Sequence, residues 1–238
     1  MKYLLMLFFF LALNNSYGQT ITTRAKLDSK SIVKDATGSV YPYSIWPKLI
    51  QTGEYSIKND KNGEFLLYRL SPEEIAVAAE RKKAMILNMP KPRSSDVFKD
   101  GTKFNGSRIT DINGNKFDLK NNTDKVYVIN FWFINCPPCK QEIPELNELV
   151  KQYKDHKDVV FLAIALDNVS DLRGFLKTMP FNYNIVGNGQ YFSQKYGVKG
   201  YPTHLIVGKD GLIKFSTVGL GANTIYWIEK TIKEQLSI

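Results

Sequence analysis

The stretch Val126-Tyr127-Val128-Ile129-Asn130-Phe131-Trp132-Phe133-Ile134-Asn135-Cys136-Pro137-Pro138-Cys139 decides how the rest of this chain is read. Residues 126–133 are almost continuously apolar, the pattern of a strand buried on both faces of a sheet. A helix is expected to follow, from about residue 136 to residue 155. A strand ending in Cys-x-x-Cys at a helix start has a chemical use. The helix N-terminus presents unpaired N–H groups and a partial positive charge, and both favour a thiolate over a thiol. Cys136, at the very start and expected to be exposed, is the candidate nucleophile. Cys139, one turn further in, is the candidate resolving thiol.

These are the only two cysteines among 238 residues. Structural disulfides in exported domains usually close longer loops, because a short loop removes little entropy from the unfolded chain. A pair three positions apart is therefore read as reactive. The opening sequence supports an exported setting: Lys2, an apolar run from Tyr3 to Leu13, then small and polar residues up to Gly18. That is the pattern of a secretory leader, with cleavage expected after Gly18. The run is about 11 residues long and spanning a bilayer takes roughly 20, so a retained membrane anchor is the weaker reading. No cysteine follows the run on which a lipoprotein anchor could be built.

Removing 18 residues leaves 238 − 18 = 220, which suits one catalytic domain with an appended module. The net charge of +9 raises the question of nucleic acid. Lys and Arg outnumber Asp and Glu by 15 to 10 in residues 1–100 and by 17 to 13 in the remainder. Only Arg81-Lys82-Lys83 forms a tight cluster, so a solvated surface is expected rather than a phosphate-binding stripe.

Between the leader and the cysteine motif, residues 54–58 and 64–70 flank a Lys61-Asn62-Gly63 turn and read as a β-hairpin. Ser71-Pro72-Glu73-Glu74 then supplies an N-cap, a proline at the first helical position and a capping-box acid. The helix it opens should stop before Pro90. Residues 88–95 carry two prolines without apolar periodicity and read as a linker. The expected division is a leader at 1–18, an N-terminal module and linker at 19–100, and a second domain at 101–238. In that second domain strands alternate with helices, the sign of an α/β architecture. A hairpin is expected around Asn113-Gly114, strands at 159–166 and 183–186, and helices at 172–177 and 190–196. A hairpin about Lys209-Asp210-Gly211 and a closing amphipathic helix at 223–235 complete it.

Residues Val128-Ile129-Asn130-Phe131-Trp132 before Cys136-Pro137-Pro138-Cys139, Pro144 shortly after, and Gly200-Tyr201-Pro202-Thr203 before a strand resemble the thioredoxin superfamily. Within it they are most similar to the TlpA/ResA type of exported thiol-disulfide oxidoreductase. The resemblance covers residues 101–238. It implies a thioredoxin-like fold, a central mixed sheet flanked by helices, with a strand-and-helix insertion at about 167–197 and a small α+β module in front. It also implies a redox-active disulfide between Cys136 and Cys139, no further cofactor and no metal. Asn130 stands where thioredoxin carries a buried Asp. Glu142 matches the acid of the ResA type and, three residues beyond Cys139, is its neighbour on the helix surface. The implied role is to take and return the Cys139 proton. Tyr201-Pro202 is implied to be a cis peptide facing the cysteines, its missing N–H leaving backbone free to pair with a bound strand. Tyr201, Pro202, Trp132 and Asn135 are the expected client-binding residues, although Trp132, like Trp46 and Trp227, is favoured as a core residue and is expected close to the cysteines. The implied partners are a disulfide-containing client protein, apocytochrome c among them, and an upstream membrane electron donor.

Two departures matter. Asn135 replaces the Trp that the family usually carries before the first cysteine, which changes the surface a client meets. Pro137 and Pro138 donate no N–H to the Cys136 sulfur, leaving the Cys139 N–H and the helix dipole. A less stabilised thiolate leans toward a reductant. A copper-binding module using both thiolates and His204 is the alternative from another class. His204 itself is preferred as a packed strand residue, and His156 as solvent-facing. A thioredoxin-fold peroxidase ranks last, because the Pro-x-x-x-Thr/Ser-x-x-Cys arrangement around its reactive cysteine is missing. Haem attachment is disfavoured by Lys140, which follows Cys139 where a His is required.

Overall fold

In the computed structural model, residues 26–60, 64–121 and 124–237 are described, so the leader and the turn at residues 61–63 lie outside them. The chain divides into two compact units, the first ending at Arg81 and the second beginning at Lys82.

The first unit is α+β. Strands β1 (Val33–Lys34), β2 (Val40–Tyr41), β3 (Tyr55–Asn59) and β4 (Phe65–Arg69) form a sheet in the order β2-β1-β4-β3, with α1 (Trp46–Gln51) between β2 and β3. Val33, Trp46 and Leu67 are its buried centre. Helix α2 (Pro72–Asn88) begins at a reciprocal capping box: Ser71 N–H donates to Glu74 Oε2 at 2.8 Å, and Glu74 N–H donates to Ser71 Oγ at 3.2 Å.

The second unit begins within α2 and includes residues 88–95, the stretch expected to be a linker, which is packed through specific hydrogen bonds. Residues 82–100 belong to this unit. Ser95 N–H donates to Ser216 Oγ, which donates in turn to the Phe98 carbonyl, while Asn223 Nδ2 donates to the Pro90 carbonyl. Phe98 is buried in a core cluster. Prolines without periodicity mark irregular backbone, and irregular backbone can still be packed when side chains satisfy its polar groups.

A small hairpin of β5 (Arg108–Thr110) and β6 (Lys116–Asp118) precedes the main sheet. That sheet has the order β11-β10-β7-β8-β9, built from β7 (Val126–Trp132), β8 (Val159–Ala165), β9 (Asn184–Val186), β10 (Thr203–Val207) and β11 (Ile213–Val218). Strands β7, β8 and β9 run parallel, and β10 is antiparallel to both β7 and β11. Helices α3 (Pro137–Gln152), α4 (Val169–Thr178), α5 (Gln190–Tyr196) and α6 (Thr224–Leu236) complete the unit. The mixed sheet and the strand-and-helix insertion between β8 and β10 are those expected.

All seven residues of β7 are buried because its two faces meet different clusters. Val126, Val128 and Trp132 join Ile143, Leu146 and Leu149 of α3 and Ile228 and Ile232 of α6. Tyr127, Ile129 and Phe131 join Phe98, Phe104, Ile109 and Leu119. Strand alternation produces this split, and it puts Asn130 on the face beneath α3.

Candidate active site

Cys136 is the N-cap residue of α3, with extended backbone (φ −90°, ψ 104°). Pro137 and Pro138 fill the first two helical positions, where an N–H would have no helical acceptor and proline is tolerated. Cys139 comes third. Its N–H donates to Cys136 Sγ at 3.3 Å, so sulfur takes the place of the usual capping oxygen. The two sulfurs are joined as a disulfide.

Cys136 corrects an expectation, since only 2 % of its surface is accessible. Joined to Cys139, it belongs to the cluster beneath α3, and Phe133, Ile134 and Tyr201 pack against that cluster. Its neighbours Asn135 and Pro137 are exposed. Beside Asn135 lies a groove of about 510 Å³, to which Ile134, Asp167, Asp171 and Phe175 also contribute. Asp167 Oδ2 accepts the Ile134 N–H at 2.8 Å and so holds the loop that leads into the motif.

Trp132 is a core residue, the role favoured for it over that of a client platform. It is wholly buried, with its ring 5.5 Å from that of Phe175 and 5.4 Å from that of Phe181. An indole enclosed in this way packs the floor of the site and offers a client no surface.

The Tyr201-Pro202 peptide is cis. Thr203 pairs with Phe131 in the β10–β7 ladder, which sets Tyr201 and Pro202 beside the end of β7 where the chain turns toward Cys136. Tyr201 is half-buried, edge-on to Phe133 with centroids 5.4 Å apart. Thr203 Oγ1 donates to the Gly200 carbonyl and Gly219 N–H donates to the Pro202 carbonyl, closing the loop. A side chain at Gly200 would collide with Val218.

Glu142 is buried on the inner face of α3. Asn130 Nδ2 donates to its Oε1 at 2.8 Å, and His204 Nε2 lies 3.0 Å from its Oε2. Asn130 and His204 are direct partners in the β7–β10 ladder, so one register brings both side chains under the same carboxylate. Tyr183 is also fully buried, and its hydroxyl is held well above the usual tyrosine range, first by burial and second by the charge of Glu142. His204 is the residue whose part the sequence reading missed: it is packed in a strand, as preferred, yet it is also bonded to the acid beside the cysteines. The available signal was a lone His in an otherwise apolar Leu205-Ile206-Val207 strand directly after the Tyr201-Pro202 element. Among the described residues no group of three or more His, Cys, Asp or Glu side chains is arranged to hold a metal ion. His156, in contrast, is half-buried and tilted against Tyr153 at the end of α3.

Residues 101–216 match the model of the AhpC/TSA family. Over 113 residues the chain is 32 % identical to thiol-disulfide oxidoreductase ResA of Bacillus thuringiensis, covering 47 % of this chain and 65 % of that protein. Over 110 residues it is 31 % identical to the thioredoxin-like protein YneN of Bacillus subtilis, covering 45 % and 65 %. The chain thus spans just under two thirds of the length of these curated relatives. Among solved structures it is similar to a provisionally named thiol:disulfide interchange protein DsbE from Chlorobium tepidum, with a TM-score of 0.52 and 26 % identity, covering 58 % of this chain and 99 % of that one.

Proposed function

We propose that this protein, whose residues 101–216 match the model of the AhpC/TSA family, is a thiol-disulfide oxidoreductase that reduces disulfides of client proteins outside the cytoplasm. The observation that carries the reading is the disulfide at the start of α3, with Cys136 as N-cap and Cys139 donating its N–H to the Cys136 sulfur.

In the reduced enzyme the Cys136 thiolate attacks a client disulfide. A Cys136–client bond forms, the client S–S bond breaks, and the departing client sulfur takes a proton. Cys139 then gives its proton to Glu142 and its thiolate attacks Cys136 Sγ. The Cys136–client bond breaks and the second client sulfur leaves, protonated from solvent or from Glu142. Two electrons pass to the client and the enzyme ends as the Cys136–Cys139 disulfide, to be reduced again by an upstream membrane donor. Tyr201, Pro202 and Asn135 border the client strand, and an apocytochrome c is one client that fits a dithiol reductase of this type. The ResA name of the relatives supports the activity, and the leader pattern at residues 1–18 supports export. Among the described residues no helix is long and apolar enough to cross a membrane.

The test is reduction of a disulfide-bonded test protein by the dithiol-loaded enzyme, with a Cys136→Ser/Cys139→Ser double variant as control. Turnover in the wild type alone supports the reading. Equal rates in both would overturn it, and tight stoichiometric Cu(I) uptake abolished by His204→Ala, with negligible disulfide reduction, would replace it with the copper-binding alternative. N-terminal sequencing of the protein recovered from the producing cell tests export, with a start near Gln19 expected and an intact Met1 contradicting cleavage.

A further inference from the structure

We propose that His204 is a positioning residue for the proton transfer at Cys139: together with Asn130 it holds Glu142 as a carboxylate aimed to accept that proton. The inference rests on the dithiol reading above and adds the groups that prepare the acid.

Both oxygens of the Glu142 carboxyl group are engaged. Oε1 receives the Asn130 Nδ2 hydrogen at 2.8 Å, and Oε2 has His204 Nε2 at 3.0 Å. All three side chains are buried. A carboxylate gripped at both oxygens cannot rotate, so its remaining lone pairs keep one direction. Glu142 and Cys139 share one face of α3, three residues apart. The acid is therefore set beside the sulfur before any proton moves.

The histidine ring then has to be assigned a proton. His204 Nδ1 is buried with no hydrogen-bond partner among the described residues. A buried N–H without an acceptor costs more than a bare ring nitrogen, so the proton belongs on Nε2, where Glu142 accepts it. Both donors to Glu142 are then neutral. Neutral donors favour the carboxylate without fixing it in an ion pair, so it can still take a proton from Cys139. The other groups around the carboxylate agree. Tyr183, held as a neutral phenol, adds no charge, and Asn130 supplies a donor where an Asp would supply a second negative charge. Cys139 is the one other ionisable group that shares this buried face of α3.

The register makes the arrangement specific to this pair of strands. His204 faces Asn130 directly, and shifting β10 by one residue would put Thr203 or Leu205 there and turn His204 to the opposite side of the sheet.

Resolution of the mixed disulfide is the step to measure. A client peptide is loaded on Cys136 and its release is followed by stopped-flow between pH 5 and 9. His204→Leu should slow release at neutral pH by roughly tenfold, the loss of one hydrogen bond to a charged group, and shift the pH profile. His204→Gln, whose amide can donate at the same place, should recover most of the rate. Initial attack by Cys136, read as mixed-disulfide formation, should be unchanged in both. In parallel, nitrogen NMR of the reduced wild type should find His204 neutral and protonated on Nε2. A folded His204→Leu with wild-type release and pH profile, or a ring protonated on Nδ1, would overturn the proposal. Should His204→Leu fail to fold, the wild-type NMR result decides alone. Wild-type protein that releases no client at any pH would instead count against the dithiol reading itself.

Discussion

Asn130 on β7 and His204 on β10 stand directly opposite each other in an antiparallel ladder, and each engages a different oxygen of Glu142. The floor beneath the cysteines is thus a polar island, continued on β11 by buried Thr217, the ladder partner of His204. A buried acid is tolerated there because a hydrogen-bonding group meets each of its oxygens.

Asn130→Asp tests that account. The substitution returns the residue that thioredoxin carries at this place, yet here it would set a second carboxylate against Glu142 and remove the donor to Oε1. The two acids cannot both ionise side by side, so the folded protein takes up a proton that the unfolded chain releases above about pH 4. Because the folded state then binds more protons than the unfolded state, stability falls as pH rises. Urea denaturation should show a small deficit at pH 4 and one of about 3 kcal/mol at pH 8. A deficit that is constant with pH would show that the two groups do not interact.

Glu142→Gln separates proton transfer from packing. The amide has the shape of the acid and can still accept from Asn130, while its NH2 group meets His204 Nε2, so circular dichroism should match the wild type and thermal melting should fall only modestly. It cannot take the Cys139 proton, and thiol-disulfide exchange should slow by about a hundredfold or lose its pH dependence between pH 5 and 9. An unchanged rate across that range would leave Glu142 a buried structural acid.

Most of the second unit is legible in the sequence because its elements are local. The apolar run of β7, the capping sulfur and prolines of α3, and the end of α5 at Gly197, which adopts φ +71°, each follow from a few consecutive residues. The parts that escaped depend on distant partners. Residues 95–98 are packed through Ser216, more than a hundred positions away, and composition alone shows only an irregular, proline-bearing stretch. Strands β1 and β2 are two residues each, too short for any alternation to show. The bond between His204 and Glu142 depends on the pairing of β10 with β7, which no spacing along the chain reveals. The exposure expected of Cys136 failed for a related reason: helix position is local, whereas membership of a core cluster assembled from distant strands and helices is not.

Trp132 offers a test of packing against recognition. Removing a fully buried indole that meets Phe175 and Phe181 leaves a cavity, so Trp132→Ala should cost about 3–5 kcal/mol in chemical denaturation. Trp132→Phe should lose less and keep client affinity, since the residue offers a client no surface. A Trp132→Phe protein of near-native stability but sharply weakened client binding would restore Trp132 to the binding site.

The division of labour between the thiols follows from their places on α3. Cys136 is the N-cap residue, beside exposed Asn135 and Pro137, while Cys139 lies on the inner face next to Glu142. Cys136→Ser should abolish turnover and form no covalent adduct with a client. Cys139→Ser should accumulate a mixed disulfide, because attack proceeds and release does not. Mass spectrometry of the trapped species would identify the joined sulfur, and adducts persisting through Cys139 in Cys136→Ser would invert the roles. The proline pair sets the direction of electron flow. With Pro137 and Pro138 contributing no N–H, the Cys136 sulfur has the Cys139 N–H and the helix dipole, so the reduced form gains less stabilisation than in a strong oxidant. A redox titration should place the couple near the thioredoxin end of the scale, roughly −270 mV, and far from the DsbA end, roughly −120 mV. A value near the latter would make the protein an oxidant of its clients and sink the reductase assignment.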